Sequence, residues 1–123
     1  MSTFYFVSAW EQPNFDTMPE NKVICQGDRL RLQCANSSMR LVIYSAMYGR
    51  TEPGYVICPY KGAEQDHDYN CGETDVTNLF NTMCEKRARC KVKVNSALFG
   101  EPCPDKHLYL NLVYACGKYA LLS

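Results

Sequence analysis

The chain has 123 residues, of which 46% are hydrophobic and 21% charged, and this is the composition of one ordinary globular domain. Such a composition excludes an intrinsically disordered chain and a large multidomain enzyme. The 13 Lys and Arg residues balance the 13 Asp and Glu residues, so no field of the whole molecule draws the chain to nucleic acid. We therefore expect no nucleic-acid partner.

Cysteine is the residue type that stands out, with 8 copies, an even number. A dense, even set predicts a disulfide framework in a secreted or cell-surface protein. Zinc binding is the alternative, but zinc sites usually contain C-x-x-C pairs, and positions 25, 34, 58, 71, 84, 90, 103 and 116 contain none. We expect no metal and no cofactor. Spacing alone leaves the pairing of the cysteines open.

Targeting signals are weak along the whole chain. The first ten residues lack the basic start of a signal peptide, and no apolar run approaches the roughly 20 residues of a membrane span. We expect an ectodomain or mature piece of an exported protein that does not itself insert into a membrane. Its predicted parts are a leader strand and linker (1–21), one domain (22–117) and a C-terminal tail (118–123). Four aromatic residues of the leader, Phe4, Tyr5, Phe6 and Trp10, are available to pack on the domain.

The periodicity of apolar residues predicts four strands and one helix in chain order. Residues 29–34 alternate as a half-buried strand does, residues 39–48 are β-branched and aromatic, and residues 50–71 form a long loop rich in Gly, Pro and Asp. Helical spacing of Val76, Leu79, Phe80 and Met83 predicts a helix that ends near Cys84, with Thr74 or Asp75 as its N-cap. Alternation returns at 89–94 and 107–116. The fold class is α+β, mainly an antiparallel β sandwich with one short helix and long disulfide-linked loops.

Several short motifs surround the cysteines: Cys25-Gln26-Gly27, Tyr48-Gly49-Arg50, the Cys84 and Cys90 pair, Phe99-Gly100-Glu101-Pro102-Cys103, and Tyr114-Ala115-Cys116. In these motifs, and in the order of all eight cysteines over about residues 22–117, the chain resembles the SUEL-type, or rhamnose-binding, lectin domain. That domain occurs in egg lectins, latrophilin ectodomains and the Eva family of neuronal guidance receptors. The resemblance implies four disulfides, Cys25–Cys58, Cys34–Cys116, Cys71–Cys103 and Cys84–Cys90.

The resemblance also implies a sugar site at one end of the sandwich, made of Gln26, Tyr48, Asn95 and Glu101. A sugar presents adjacent hydroxyls over an apolar ring face, so its site needs a carboxylate, an amide and a flat aromatic wall. Three departures from the family pattern weaken this site. Gln26 stands where the family has Glu, Glu101 replaces an Asp, and residues 105–108 lack the usual glycine and lysine of a Gly-Thr-Tyr-Lys stretch. Alternatively, Tyr48 belongs to the core, Asn95 caps a turn, and Glu101 pairs with Arg50.

A cluster of cations forms a second candidate surface, namely Lys86, Arg87, Arg89, Lys91 and Lys93. The last three share one face of a predicted strand, and such a stripe suits a sulfated glycosaminoglycan such as heparan sulfate. The alternative is a solvated edge strand that its cations protect from aggregation. Separately, Asn36-Ser37-Ser38 is an N-glycosylation sequon in a predicted turn.

Catalytic constellations are missing from the sequence, which has only two histidines and no nucleophile or phosphate-binding motif, so we predict that the domain is not an enzyme. We predict an extracellular recognition module with a carbohydrate-binding scaffold of the rhamnose and galactose class. The alternative is a protein-interaction module of an adhesion or axon-guidance receptor, which binds a secreted protein or heparan sulfate while its monosaccharide site has degenerated.

Overall fold

The computed structural model describes residues 13–15 and 18–119. The contacts expected of Phe4, Tyr5, Phe6 and Trp10 lie outside the described residues. In chain order, the elements are β1 (Pro13–Phe15), β2 (Glu20–Cys25), β3 (Arg29–Gln33), β4 (Arg40–Arg50), β5 (Gly72–Asp75), α1 (Thr77–Cys84), β6 (Arg89–Lys93), α2 (Ser96–Phe99) and β7 (Tyr109–Tyr119). A single turn of 3-10 helix, Ala63–Gln65, lies in the long loop between β4 and β5.

The larger sheet is built around β7 and its long antiparallel pairing with β4, which runs from Arg40 opposite Gly117 to Gly49 opposite Tyr109. On its other side β7 pairs with β2 and, near its end, with β1. The short β5 pairs with the last residues of β4. The pairing of β1 and β2 carries the sheet beyond residues 22–117 at both ends.

The smaller sheet consists of β3 and β6, which pair antiparallel. Both strands alternate between exposed and buried residues, as the sequence predicts, so that Leu30 and Leu32 face inward with Cys90 and Val92. These side chains join a single core with β4, β7, α1 and α2, in which Phe80 and Phe99 stack with ring centroids 6.2 Å apart. The prediction of a mainly antiparallel, β-rich α+β domain is confirmed.

Four disulfides cross-link this framework: Cys25–Cys58, Cys34–Cys116, Cys71–Cys103 and Cys84–Cys90. They are the same four pairs that the family resemblance implies. Two of them, at Cys58 and Cys71, hold the long loop between β4 and β5 against the rest of the domain. In the chain-entropy view, each such bridge stabilises a small domain by about 2–4 kcal/mol.

The structure corrects the predicted start of the helix and adds three elements that the periodicity did not predict, namely β2, β5 and α2. Val76 occupies the N-cap position of α1, not Thr74 or Asp75, and the Asp75 carboxylate instead accepts a 2.9 Å hydrogen bond from the Thr77 N–H. Hydrogen bonds from Thr77 lower the pKa of Asp75 below its usual value. Strand β5 has four exposed residues and no apolar alternation, so only its pairing with β4 reveals it. The second short helix, α2, is four residues long.

The two α-helices of the described ranges are short, with eight residues in α1 and four in α2. Neither α1 nor α2 there is long and apolar enough to cross a bilayer.

Candidate functional site

Tyr48 and Gly49, two residues of a motif that carries the family resemblance, serve the fold. Tyr48 is fully buried, with its ring 5.1 Å from that of Phe99 and its hydroxyl 3.0 Å from the Ser96 hydroxyl. Burial raises the pKa of Tyr48, the Ser96 bond lowers it, and the Glu101 charge raises it. This burial agrees with the alternative that Tyr48 belongs to the core, and its role in a sugar site stays a prediction. At Gly49 a Cβ would collide with the Gly72 carbonyl, so β5 needs this glycine.

Arg50, the third residue of the motif, is 1% exposed. Its guanidinium donates to the carbonyl oxygens of Glu52, Ile57, Cys58 and His107. The guanidinium carbon also lies 5.2 Å from the centre of the Tyr60 ring and 5.0 Å from that of Tyr109. These contacts replace the suggested pairing with Glu101, and they fix the start of the long loop against β7.

Gln26 lies in the tight turn between β2 and β3. Its side-chain oxygen accepts a 2.8 Å hydrogen bond from the Leu108 N–H, and its own N–H donates to the Leu108 carbonyl. The next residue, Gly27, has φ 96° and donates to the Val94 carbonyl. The turn is therefore fastened to the residue that precedes Asn95. Since the Gln26 oxygen is used internally, its amide nitrogen remains as the group that can donate to a ligand.

Asn95 is the N-cap of α2, because its side-chain oxygen accepts a 2.9 Å hydrogen bond from the Leu98 N–H. The helix ends at Phe99, and Gly100 follows as its C-cap with a φ of 92°, a conformation that favours glycine. Glu101 follows and is exposed. Because α2 rises only about 6 Å over its four residues, Asn95 and Glu101 bracket one small edge of the domain.

An open depression of about 250 Å³ lies at the Glu101 end of this edge. Thr74, Phe99, Gly100, Glu101 and Pro102 line it. Of the four sugar-site residues predicted from the sequence, Glu101 alone lines this depression, while Gln26 and Asn95 flank the other end of α2 and Tyr48 lies beneath it. We call this region, from the Gln26 turn to Pro102, the α2 edge.

Two further polar residues at the α2 edge escaped the sequence prediction. Ser96 is half-buried beside Asn95, and His107 is half-buried beside Leu108, which bonds Gln26. Burial and then the charge of Arg50 lower the pKa of His107, whereas Asp28 raises it. The position of His107 just before a strand was visible in the sequence, but its proximity to Arg50 depends on the tertiary fold.

Lys106 is the lysine of this chain nearest to the position where the family has a lysine, and its side chain contacts the long loop between β4 and β5. Its ammonium donates to the Asp68 carbonyl and lies 3.5 Å from the Asp68 carboxylate. In the same loop the Tyr60 hydroxyl donates to Asp66 at 2.6 Å, a bond that lowers the pKa of Asp66. Lys106 therefore does not supply the missing lysine of the α2 edge.

The cations of β6 belong to a larger surface than the sequence predicts. Arg89, Lys91 and Lys93 are all exposed on one face of the strand. The register places Lys93 opposite Arg29, Lys91 opposite Arg31 and Arg89 opposite Gln33. Residues directly opposite in a ladder share a face. The five cations Arg29, Arg31, Arg89, Lys91 and Lys93 thus form one exposed surface, which we call the cationic face.

Lys86 and Arg87 precede this face in the connection from α1. Lys86 is exposed and has a φ of 66°, with its N–H donating to Leu41. Arg87 lines a cavity of about 410 Å³ together with Met83, Arg89, Cys90 and Lys91. Arg87 therefore extends the cationic face at its Arg89 end, whereas Lys86 marks the turn before it.

The sequon asparagine, Asn36, is exposed in the turn after Cys34. Its side-chain oxygen accepts hydrogen bonds from the Ser38 N–H at 2.9 Å and from the Ser38 hydroxyl at 2.8 Å. Asparagine and the sequon hydroxyl are thus in direct contact on an accessible turn. In residues 18–118, no group of three or more His, Cys, Asp or Glu side chains is placed to hold an ion.

Comparison with known proteins identifies the family. The family model described as D-galactoside/L-rhamnose binding SUEL lectin domain matches residues 32–116. The L-rhamnose-binding lectin ELEL-1 of Echinometra lucunter is 32% identical over 95 residues, which are 77% of this chain and 88% of that lectin. Protein eva-1 homolog C of Homo sapiens is 37% identical over 99% of this chain and 27% of its own length. Adhesion G protein-coupled receptor L1 of Mus musculus is 29% identical over 80% of this chain and 6% of its own length.

Proposed function

Because the chain belongs to the SUEL lectin domain family, we propose that it binds a glycan bearing L-rhamnose or D-galactose at the α2 edge. The observation that carries this proposal is the position of Glu101. Its exposed carboxylate lines the depression beside the ring of Phe99 and Pro102. A carboxylate next to apolar surface matches a sugar, whose adjacent hydroxyls donate to the acid while its ring face packs on carbon atoms.

The Gln26 amide and Ser96 complete this site at the other end of α2. With the Gln26 oxygen bonded to Leu108, the amide nitrogen donates to a sugar hydroxyl. Tyr48 and Asn95 act as positioning residues, since one supports Ser96 from the core and the other begins the helix. A neutral amide in place of a carboxylate weakens one contact, because charge-assisted hydrogen bonds are roughly twice as strong as neutral ones.

Titration of the chain with L-rhamnose, D-galactose and D-glucose, followed by calorimetry, tests the proposal. We expect rhamnose or galactose to bind and glucose not to bind. Glu101→Gln is expected to weaken binding about tenfold, the effect of losing one charge-assisted contact of roughly 1.4 kcal/mol. Glu64→Gln, an exposed carboxylate in the 3-10 helix, is the matched control and leaves binding unchanged. No binding of either sugar, or equal losses in both variants, overturns the proposal.

Gln26→Glu provides a gain-of-function test of the same site. A glutamate keeps an oxygen for the Leu108 N–H and adds the charge that the family has at this position. The variant is expected to bind rhamnose or galactose more tightly than the original chain. Unchanged affinity would mean that residue 26 does not face the ligand.

An extracellular location of the domain is part of this proposal. Four disulfides in 123 residues support it, because such bridges persist in oxidising compartments. We also propose N-glycosylation at Asn36, given its exposure and its contact with the Ser38 hydroxyl. Protein from a secretory host should lose mass after enzymatic removal of N-glycans, whereas Ser38→Ala should have no glycan to lose. Secreted protein without this shift contradicts the assignment.

Heparan sulfate is a second candidate ligand, at the cationic face. The specific observation is that β3 sets Arg31 opposite Lys91 and Arg29 opposite Lys93. Like charges directly opposite destabilise a strand pair, so such a ladder suits a polyanion that neutralises it.

Heparin chromatography distinguishes a specific site from general charge attraction. The triple variant of Arg89, Lys91 and Lys93 to Ser is expected to elute from heparin at much lower salt. Its control replaces three exposed cations elsewhere, Lys22, Lys61 and Lys118, with Ser and removes the same net charge. An equal fall in the eluting salt concentration for both triple variants would mean that the cationic face is a solvated edge and not a specific heparin site.

A further inference from the structure

A pair of exposed apolar side chains stands out on the long loop between β4 and β5. Tyr55 is 68% and Val56 58% exposed. The preceding residues, Pro53 and Gly54, are buried. We call Tyr55 and Val56 the loop tip. Exposed aromatic residues are enriched among the side chains that dominate the energetics of protein interfaces.

The loop tip is held rigidly. Arg50 donates to the carbonyls of Ile57 and Cys58, and Cys58 is bridged to Cys25. The Val56 and Ile57 N–H groups both donate to the Pro53 carbonyl. At Gly54 a Cβ would collide with Ala63 and the Tyr60 ring. A preorganised apolar tip loses little conformational entropy on binding, which favours a docking role.

A cavity of matching chemistry lies at the other end of the domain. It measures about 410 Å³ and combines the sulfur-bearing side chains of Met83 and Cys90 with the cations Arg87, Arg89 and Lys91. Met83 packs on the core, so the cavity offers apolar surface next to guanidinium groups. Aromatic rings pack on both, through sulfur contacts and cation–π contacts.

The segments that carry the two features have opposite charges. Residues 51–75, which carry the loop tip, contain six carboxylates and the one lysine Lys61; the carboxylates are Glu52, Glu64, Asp66, Asp68, Glu73 and Asp75. Residues 86–93 contain five cations and no carboxylate. A net charge of zero for the chain therefore hides a strongly polarised molecule, and opposite patches steer association.

The two features cannot meet within one chain. The Arg87 carbonyl bonds the Leu41 N–H at one end of β4, and Arg50 holds the loop at its other end. Nine residues of strand separate these points by about 30 Å. We propose that the loop tip of one copy docks into the Met83–Cys90 cavity of a second copy. The contact is head-to-tail, so the pair keeps one free tip, on the second copy, and one free cavity, on the first.

This contact goes beyond the proposed sugar site and uses none of its residues. It shares Arg89 and Lys91 with the cationic face, so a sulfated polysaccharide would compete with it. Tip variants separate the two roles, because Tyr55→Ser with Val56→Ser should abolish self-association and leave heparin retention unchanged.

Sedimentation velocity of two complementary variants tests the proposal. One variant carries Tyr55→Ser and Val56→Ser; the other carries Arg87→Glu and Arg89→Glu. All four side chains are exposed, and thermal melts should match the original chain. The original chain is expected to associate with rising concentration at low ionic strength and to dissociate in high salt. Each variant alone should associate at least tenfold more weakly than the original chain and should sediment as a monomer at concentrations where the original chain associates.

Mixing the two variants is the decisive step, because each retains the surface that the other has lost. A one-to-one complex is expected on mixing. Arg29→Ser with Lys93→Ser, at the far end of the cationic face, is the control and should still self-associate. An original chain that stays monomeric at every concentration, or a mixture that forms no complex, overturns the proposal.

Discussion

Arginine is used in opposite ways in two regions of the domain. Arg50 is 1% exposed and donates to four backbone carbonyls, while Arg29 and Arg31 lie exposed on a sheet, each directly opposite a lysine. In the first region the charge organises a loop and is closed to ligands. In the second region, repulsion between the cations costs the fold little free energy, and their charges are available for binding. The residue type alone therefore does not separate structural from functional arginine.

Removal of Arg50 should have the largest effect on stability. Arg50→Met leaves the carbonyls of Glu52, Ile57, Cys58 and His107 without their donor. Hydrogen bonds to charged groups contribute about 1.5–3 kcal/mol each, so we expect a loss of about 3 kcal/mol or more in the free energy of unfolding. Arg31→Met on the cationic face should change it by less than about 0.5 kcal/mol. Denaturant titration of both variants measures the two changes in the free energy of unfolding. Equal losses would contradict the distinction between a structural Arg50 and an exposed Arg31.

The next effect concerns Asn95, which links fold and site. Asn95→Ala removes the cap of α2 and should cost about 1 kcal/mol of stability, and it should also weaken sugar binding because Glu101 follows the same helix. Asn95→Asp keeps a capping oxygen and should retain both properties. Should the alanine variant lose stability while binding stays intact, α2 would not position the ligand.

A smaller, stabilising effect is expected on the cationic face. Lys91→Glu replaces a repulsive pair with Arg31 by an attractive one, for a gain of roughly 0.2–1 kcal/mol. Lys61→Glu, on the long loop, is the control and should give no gain. Thermal melts at low salt make the comparison, and a loss of stability in Lys91→Glu would show that the ladder is not repulsive.

The smallest effect is a pH dependence at His107. Burial and Arg50 lower the pKa of the folded imidazole, and Asp28 opposes them. As the pH falls, the unfolded chain takes up this proton first, because its histidine has a pKa of about 6.5 and that of the folded chain is lower. The contribution of neutral His107 to the free energy of unfolding is therefore complete above about pH 6.5 and is lost as the pH falls through the folded pKa. His107→Gln should flatten the fall in the free energy of unfolding below about pH 6.5. An unchanged pH profile would remove His107 from this role.

Sequence patterns predicted the elements in which apolar side chains recur with the period of a strand or a helix, because that period reflects which side chains are buried. Alternation identified β3 and β6, and helical spacing identified α1 to within a residue or two. They missed β5, whose four residues are all exposed and which depends on Gly49 for its close approach. They also missed α2, because a four-residue helix has no room for a periodic signal.

Sequence patterns constrain the candidate site less than the fold, for a physical reason. Gln26, Tyr48 and Asn95 are polar residues whose side chains bond to the protein itself, and a pattern shared with a family does not distinguish such residues from ligand contacts. Glu101 is exposed and follows the C-cap of α2, a helix too short to be recognised from a pattern. The position of Arg31 opposite Lys91 could not be predicted, because it depends on the register between β3 and β6 and not on the sequence of either strand alone.

Nitrogen-15 resolved spectra recorded while L-rhamnose or D-galactose is added test the central claim most directly. The account predicts that the amide signals that move belong to the α2 edge, namely residues 26–28, 95–101 and 107–108, and that those of residues 29–33 and 89–93 stay in place. Shifts confined to the cationic face, or none at saturating sugar, would contradict it.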